Sequence, residues 1–184
     1  MTTNTRQYGL KISSESQSIV EDTIEVSVGE SLNVFEKYDY AAARHAKYVL
    51  YEGAVLYLSC VIDATKPQNK IIDIYHEVIM KGDNAKVELL CRGAAENNKI
   101  IYRSKVKAHQ GLKGLEAKQV AKLLKLNNSE VDAIPMLEID TPNITASHSM
   151  SVSGINSEEL FYLNLHGLNL LESSNTIVNG VLKV

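Results

Sequence analysis

Three times in its first half this chain writes the same phrase: an alternating run, a glycine, then a second alternating run. Ile24-Glu25-Val26-Ser27-Val28-Gly29 is followed by Leu32 and Val34, and Tyr48-Val49-Leu50-Tyr51-Glu52-Gly53 by Leu56 and Leu58. Ile74-Tyr75-His76-Glu77-Val78-Ile79-Met80-Lys81-Gly82 is followed by Ala85 and Val87. Glycine takes φ > 0 without a Cβ clash, so each phrase predicts a strand, a sharp turn and another strand. Apolar residues at the third and fifth places after each glycine send every second side chain to one face. The glycines are 24 and 29 residues apart, inside the range typical of solenoid repeats. None of these turns carries the Asn-Gly or Asp-Gly pair of a tight hairpin. The expected fold is mainly β, a parallel β-helix, with an open sheet of short strands as the alternative.

Counting on by twos places Cys60 inward after Gly53, and Leu89 and Cys91 inward after Gly82. The two thiols are therefore expected as reduced core residues. The run from Ile100 to His109 alternates again, with Ile100, Tyr102, Val106 and Ala108 on one face and Arg103, Lys105, Lys107 and His109 on the wet one. Leu112 to Leu126 is rich in helix formers, and Val120, Leu123 and Leu124 suit a helical stripe. Solenoid context overrides such local preference, so a strand is expected over 119–126.

After Gly154 the pattern changes to a helical one. Asn156 is placed to cap a helix, with Glu159 returning a bond to the cap. Phe161, Leu165 and Leu168 form an apolar face, Gly167 stands where the helix should end, and a second helix is expected over about 170–178. The expected organisation is a loose N-terminus at 1–12, a β-helix core at 13–155 and a small helical region at 156–184.

Nineteen Lys and Arg against 22 Asp and Glu leave a net charge of -3, which supplies no basic surface for nucleic acid or anionic lipid. No apolar run reaches the length of a membrane span, and the polar start does not read as a signal peptide, so a cytoplasmic protein is expected. There is no phosphate-cradling glycine loop and no HExxH. Cys60 and Cys91 form no CxxC pair, and no four-thiolate cluster site can be drawn from this chain alone. Ser147, Ser149, Ser151 and Ser153 alternate with His148, Met150 and Val152, as in a strand with one hydroxyl face. An imidazole such as that of His148 can ligate iron and transfer protons near neutrality. Glu138 lies among apolar residues, where an ordinary outward carboxylate is the simpler reading. His45, His76, His109 and His166 read as structural.

The last third carries a recognisable order: Pro135-Met136-Leu137-Glu138-Ile139, then Asn143-Ile144-Thr145-Ala146-Ser147-His148, then Gly154-Ile155 and Ser157-Glu158-Glu159-Leu160-Phe161-Tyr162-Leu163. This order resembles the SufB/SufD family of iron–sulfur cluster assembly scaffolds from Tyr102 to about Gly180. The resemblance implies a β-helix through which two subunits pair, as a homo- or heterodimer with a SufB/SufD-type chain. It also implies a C-terminal helical region that docks a SufC-type ABC ATPase. His148 matches the histidine that SufD-type subunits bring to the assembly site, with Glu138 as a second candidate there. Glu159, Phe161 and Tyr162, continued by Leu165 and Leu168, match the docking region.

Ile139 falls where SufB-type chains carry a cysteine, and Ala146 where many SufD-type chains carry one. The likeness is thus closer to SufD, and a short form, since members usually have an N-terminal helical domain before the β-helix. No cofactor is expected to bind this chain stably by itself, and a transient iron–sulfur cluster is expected only in complex. No catalysis is expected. The alternatives are a β-helix carbohydrate-active enzyme, which needs clustered carboxylates that the sequence does not display, and a purely structural homodimer.

Overall fold

The computed structural model describes residues 5–12, 19–66 and 71–183. The strands in chain order are β1 (Thr5–Ile12), β2 (Ile19–Val26), β3 (Ser31–Tyr38), β4 (Ala42–Leu50), β5 (Val55–Ala64), β6 (Ile71–Met80), β7 (Lys86–Glu96), β8 (Lys99–Ala108), β9 (Leu115–Leu126), β10 (Glu130–Ile139) and β11 (Ile144–Ser153). Two helices follow, α1 (Ser157–Leu165) and α2 (Leu170–Leu182). Each strand pairs in parallel with the strand two places on. Odd-numbered strands build a six-stranded sheet and even-numbered strands a five-stranded one. The chain winds between two facing sheets, which is the expected parallel β-helix.

The inward columns follow the period of two. Leu32, Leu56, Val87 and Ala117 stack in register on one sheet, and Ile72 and Ile100 on the other, all essentially removed from water. Each fully buried Leu or Ile contributes about 1.5–3 kcal/mol, so the stacked columns are the main source of stability.

The corners refine the glycine reading. Register places Gly29, Gly53, Asn84 and Gly114 at equivalent positions of successive coils, and all four have positive φ, from 57° to 68°. Backbone bonds join the stacked corners: Gly29 N–H donates to Glu52, Gly53 to Asp83 and Asn84 to Lys113. Gly82 is therefore not the third left-handed residue, as the spacing suggested. That place belongs to Asn84, whose short polar side chain tolerates the left-handed region. Gly82 is needed for another reason: a Cβ there would lie 2.0 Å from the backbone nitrogen of Glu52.

Leu115–Leu126 is a strand throughout despite its helix-forming composition. It is hydrogen-bonded in register to β7 on one side and β11 on the other, and Leu115, Ala117, Gln119, Ala121 and Leu123 point into the core. Two complete ladders outweigh a propensity difference of a few tenths of a kcal/mol per residue. The stretch expected to be loose, 1–12, lies outside the described residues at 1–4; Thr5–Ile12 is strand β1, paired along its whole length with β3. Residues 13–18 also lie outside them.

Asn156 caps α1 by accepting from the Glu158 N–H. The reciprocal capping box expected there forms instead at α2, between Asn169 and Glu172. The second helix runs to Leu182, beyond the expected end near 178. It lies on the outer face of the six-stranded sheet, where Val178 and Val181 form a small separate core with Ala94 and Leu124.

Candidate functional site

The last coil, like the first, stands at the sheet edges. Among the described residues β10 pairs only with β8, and β11 only with β9, so each presents a free edge. Ile144, Ala146, His148, Met150 and Val152 share the inward parity; Ile144, Ala146 and Met150 are half-buried against the core, and His148 and Val152 are exposed, with no further coil over them among the described residues. His148 sits in one column above Val34, Leu58, Leu89 and Gln119. Gln119 is buried and bonded to Ser104 and to the Met136 carbonyl, whereas His148 is exposed. An exposed imidazole on the lip of a half-open core is accessible to a borderline metal ion.

Ile139 and Ala146, the positions at which the family resemblance leads one to look for thiols, also have inward parity in this coil, in register with Ala108 and Ala117. Glu138 faces outward. It pairs with Lys105 at 2.6 Å and with Lys107, and these two bonds hold its carboxyl down at about 2. The structure thus commits Glu138 to a lysine pair and does not join it to His148. Similar pairs, Lys47 with Glu77 and Arg103 with Asp73, run over the same outer face as a charge ladder.

The helical residues divide by exposure. Phe161, Tyr162 and Leu165 are more than three-fifths exposed, as are Leu170 and Leu171 at the start of α2. Glu159 is exposed beside them and Leu168 is half-buried. No residue of α1 is buried, so its apolar side chains do not seal the solenoid. Between these helices and the outer face of β7 and β9 runs a groove of about 690 Å³, lined by Leu90, Arg92, Val120, Lys122, Tyr162 and Val181.

A second constellation, not foreseen from the sequence, lies inside the solenoid. Glu36 on β3 is fully buried. Tyr38 donates to it at 2.6 Å and Tyr48 at 3.2 Å, while Arg44 binds it through Nε at 3.1 Å and reaches Asp22 at 2.6 Å. His76 Nε2 stands 2.9 Å from Glu36 Oε2, and its Nδ1 is 3.4 Å from the Tyr102 hydroxyl. Burial pushes the Glu36 carboxyl up, but His76, Arg44 and Tyr38 together outweigh it and hold the group at about 2. Cys60 and Cys91 are free thiols in register beside Glu36, and burial, then the neighbouring Cys91, pushes the Cys60 thiol well up. Both cysteines lie in the core as expected; His76 does too, but as a member of a charged network rather than an isolated filler. The signal was present. Glu36 stands seven places after Gly29, as Cys60 does after Gly53 and Cys91 after Asn84, so the count that turns Cys60 inward also turns Glu36 inward.

Comparison with known proteins accounts for this architecture. Residues 40–181 match the SufBD core domain of the SUF system for FeS cluster assembly. An iron–sulfur cluster assembly SufBD family protein of Archaeoglobus fulgidus is 27% identical over 144 residues, 74% of this chain and 36% of that protein. One from Staphylococcus epidermidis is 31% identical over 73% of this chain and 29% of its own length. One from Galdieria sulphuraria is 31% identical over 60% of this chain and 51% of its own. This chain therefore spans between about a third and a half of these relatives. With a core-domain match over most of its length, the chain belongs to the SufB/SufD family of iron–sulfur cluster assembly proteins.

Proposed function

We propose that this chain is a SufD-like scaffold subunit, cytoplasmic and without a reaction of its own. It pairs with a SufB/SufD-type subunit through the free edges of its last coil and docks a SufC-type ABC ATPase through α1 and α2. The observation that carries the docking half is α1, which exposes Phe161, Tyr162 and Leu165 while burying nothing. A helix that does not use its apolar side chains in its own fold is suited to a partner's apolar surface. The pairing half rests on β10 and β11, whose unpaired N–H and C=O groups invite strand addition. The SufD-like assignment rests on His148 without a thiol at Ile139 or Ala146, which makes the nascent cluster a cargo held between subunits rather than a group this chain holds alone.

The test is retention of a SufC-type ATPase by the intact chain, by Leu165→Glu and by a chain ended after Gly154. Retention by the intact chain and loss in both variants supports docking through the helices. Retention by the shortened chain refutes it. Leu165→Glu keeps the α2 packing on Ala94 and Leu124, so its loss of binding is not a folding defect.

A further inference from the structure

The interior cluster contains more donor groups than a buried ion pair requires. Arg44, Tyr38 and Tyr48 already satisfy the Glu36 carboxylate, and a carboxylate–guanidinium pair with two hydroxyl donors is a complete solution to burying that charge. Two thiols and an imidazole surround the same carboxylate in addition. Glu36, Cys60 and Cys91 occupy one column of the six-stranded sheet, and His76 reaches them from the facing sheet. All four residues are fully buried.

We propose that Glu36, Cys60, Cys91 and His76 form a metal site inside the solenoid that takes one divalent first-row ion of tetrahedral preference, zinc(II) being the type case. This site is separate from His148 and does not depend on the scaffold role proposed above. Ligand atoms of Glu36, Cys60 and His76 all lie within 4.8 Å of one another. Bonds of about 2.0–2.3 Å to sulfur, nitrogen and oxygen set ligand atoms roughly 3.3–3.8 Å apart, so closure on an ion needs side-chain adjustments and no backbone movement. Cys91 lies outside that group of three; in register with Cys60 and hydrogen-bonded to it, its thiol would turn toward the ion to supply the fourth position.

The outer hydrogen bonds are of the kind that metal sites use. The Tyr102 hydroxyl, 3.4 Å from His76 Nδ1, is placed to accept from Nδ1–H in the loaded site, where Nε2 gives up the proton it shares with Glu36 and turns to the ion. Tyr38 and Arg44 hold the carboxylate in place. Charge also balances. In the loaded site His76 is a neutral ligand, and the Arg44 guanidinium offsets the Glu36 carboxylate. Binding a divalent ion with loss of the Cys60 and Cys91 thiol protons to solvent adds two positive and two negative charges, so the low-dielectric core keeps zero net charge. Since the site has no opening to solvent, loading accompanies closure of the coils during folding.

The experiment refolds the full chain from denaturant without oxygen in the presence of cobalt(II). The expected result is one cobalt per chain, with a thiolate-to-cobalt charge-transfer band and the intense visible bands of a tetrahedral ion, both bleached by zinc(II). Cys60→Ser lowers the charge-transfer intensity and the double variant Cys60→Ser with Cys91→Ser abolishes it, Tyr102→Phe weakens cobalt affinity by about 10–100-fold, and His148→Ala leaves the spectrum unchanged. Circular dichroism confirms that each variant compared is folded. A refolded native chain that holds no stoichiometric cobalt overturns the proposal. So does cobalt bound without a thiolate band, or a band whose intensity is undiminished in folded Cys60→Ser.

Discussion

The middle coils and the last coil are built from the same alternating strands, yet they bury their inward residues to opposite degrees. In β3 to β9 every strand has a neighbour on both sides, and inward residues such as Leu56, Ile74 and Leu89 are completely shielded. In β10 and β11 the inward residues are at most half-buried, and His148 and Val152 stand exposed, Val152 by more than two-fifths. The alternation is the same; what differs is whether another coil follows. A solenoid stabilises each repeat through its neighbours, so the final repeat keeps its shape with half the contacts and keeps its polar edge available. The closed coils are the part of the molecule that tolerates a charged network only if it is fully paired, and the open coil is the part that can present His148.

That contrast is broken most decisively at Arg44. Arg44→Ala takes the guanidinium from the buried Glu36 carboxylate and leaves it only Tyr38, Tyr48 and His76, and is expected to cost about 3–5 kcal/mol, read as a lowered urea midpoint. Its neutrality would show that the interior network is dispensable. The Glu36 carboxyl, held at about 2 against an ordinary value of 4.5, gives the corresponding acid response in metal-free protein. Its contribution, about 3 kcal/mol, is present above pH 4.5 and is lost as pH falls from there toward 2. Urea midpoints between pH 6 and 3 in chelator, flat down to pH 3, would exclude it.

Gly82→Ala tests the corner stack. The added Cβ meets the Glu52 backbone, and the expected loss is about 1–3 kcal/mol in spite of an ordinary φ. In the open regions the effects on stability shrink. His148→Ala and Leu165→Glu are each expected to stay within about 0.5 kcal/mol of the parent, because both side chains are exposed. A thermal melt lowered by more than that for either would place the residue in the fold rather than at a surface for partners.

Much of this was legible in the sequence. The glycine-punctuated alternation led to the solenoid, Gly154 marked the change to helices, and Asn156 and Gly167 stand at the two ends of α1. The third corner was misplaced by two residues because asparagine at 84 does the work of glycine, a substitution that a search for glycines does not register. At 115–126 local preference pointed to a helix, and only the ladders on both sides explain a strand over its whole length. In the site, His148 and the exposed face of α1 were visible as motifs, whereas the interior cluster was not, because its members are scattered. His76 and Glu36 are 40 residues apart and on different sheets.

The sequence by itself determined the period of two, the turns and hence which side chains face inward, because those depend on each residue's own backbone and its near neighbours. The tertiary structure alone decided which inward residues meet. Register between coils some 24 to 31 residues apart stacks Glu36 on Cys60 and Cys60 on Cys91, and the facing sheet brings His76 against them. It also decided that His148, which has the same inward parity as Gln119 beneath it, is exposed: among the described residues no further coil pairs with β11.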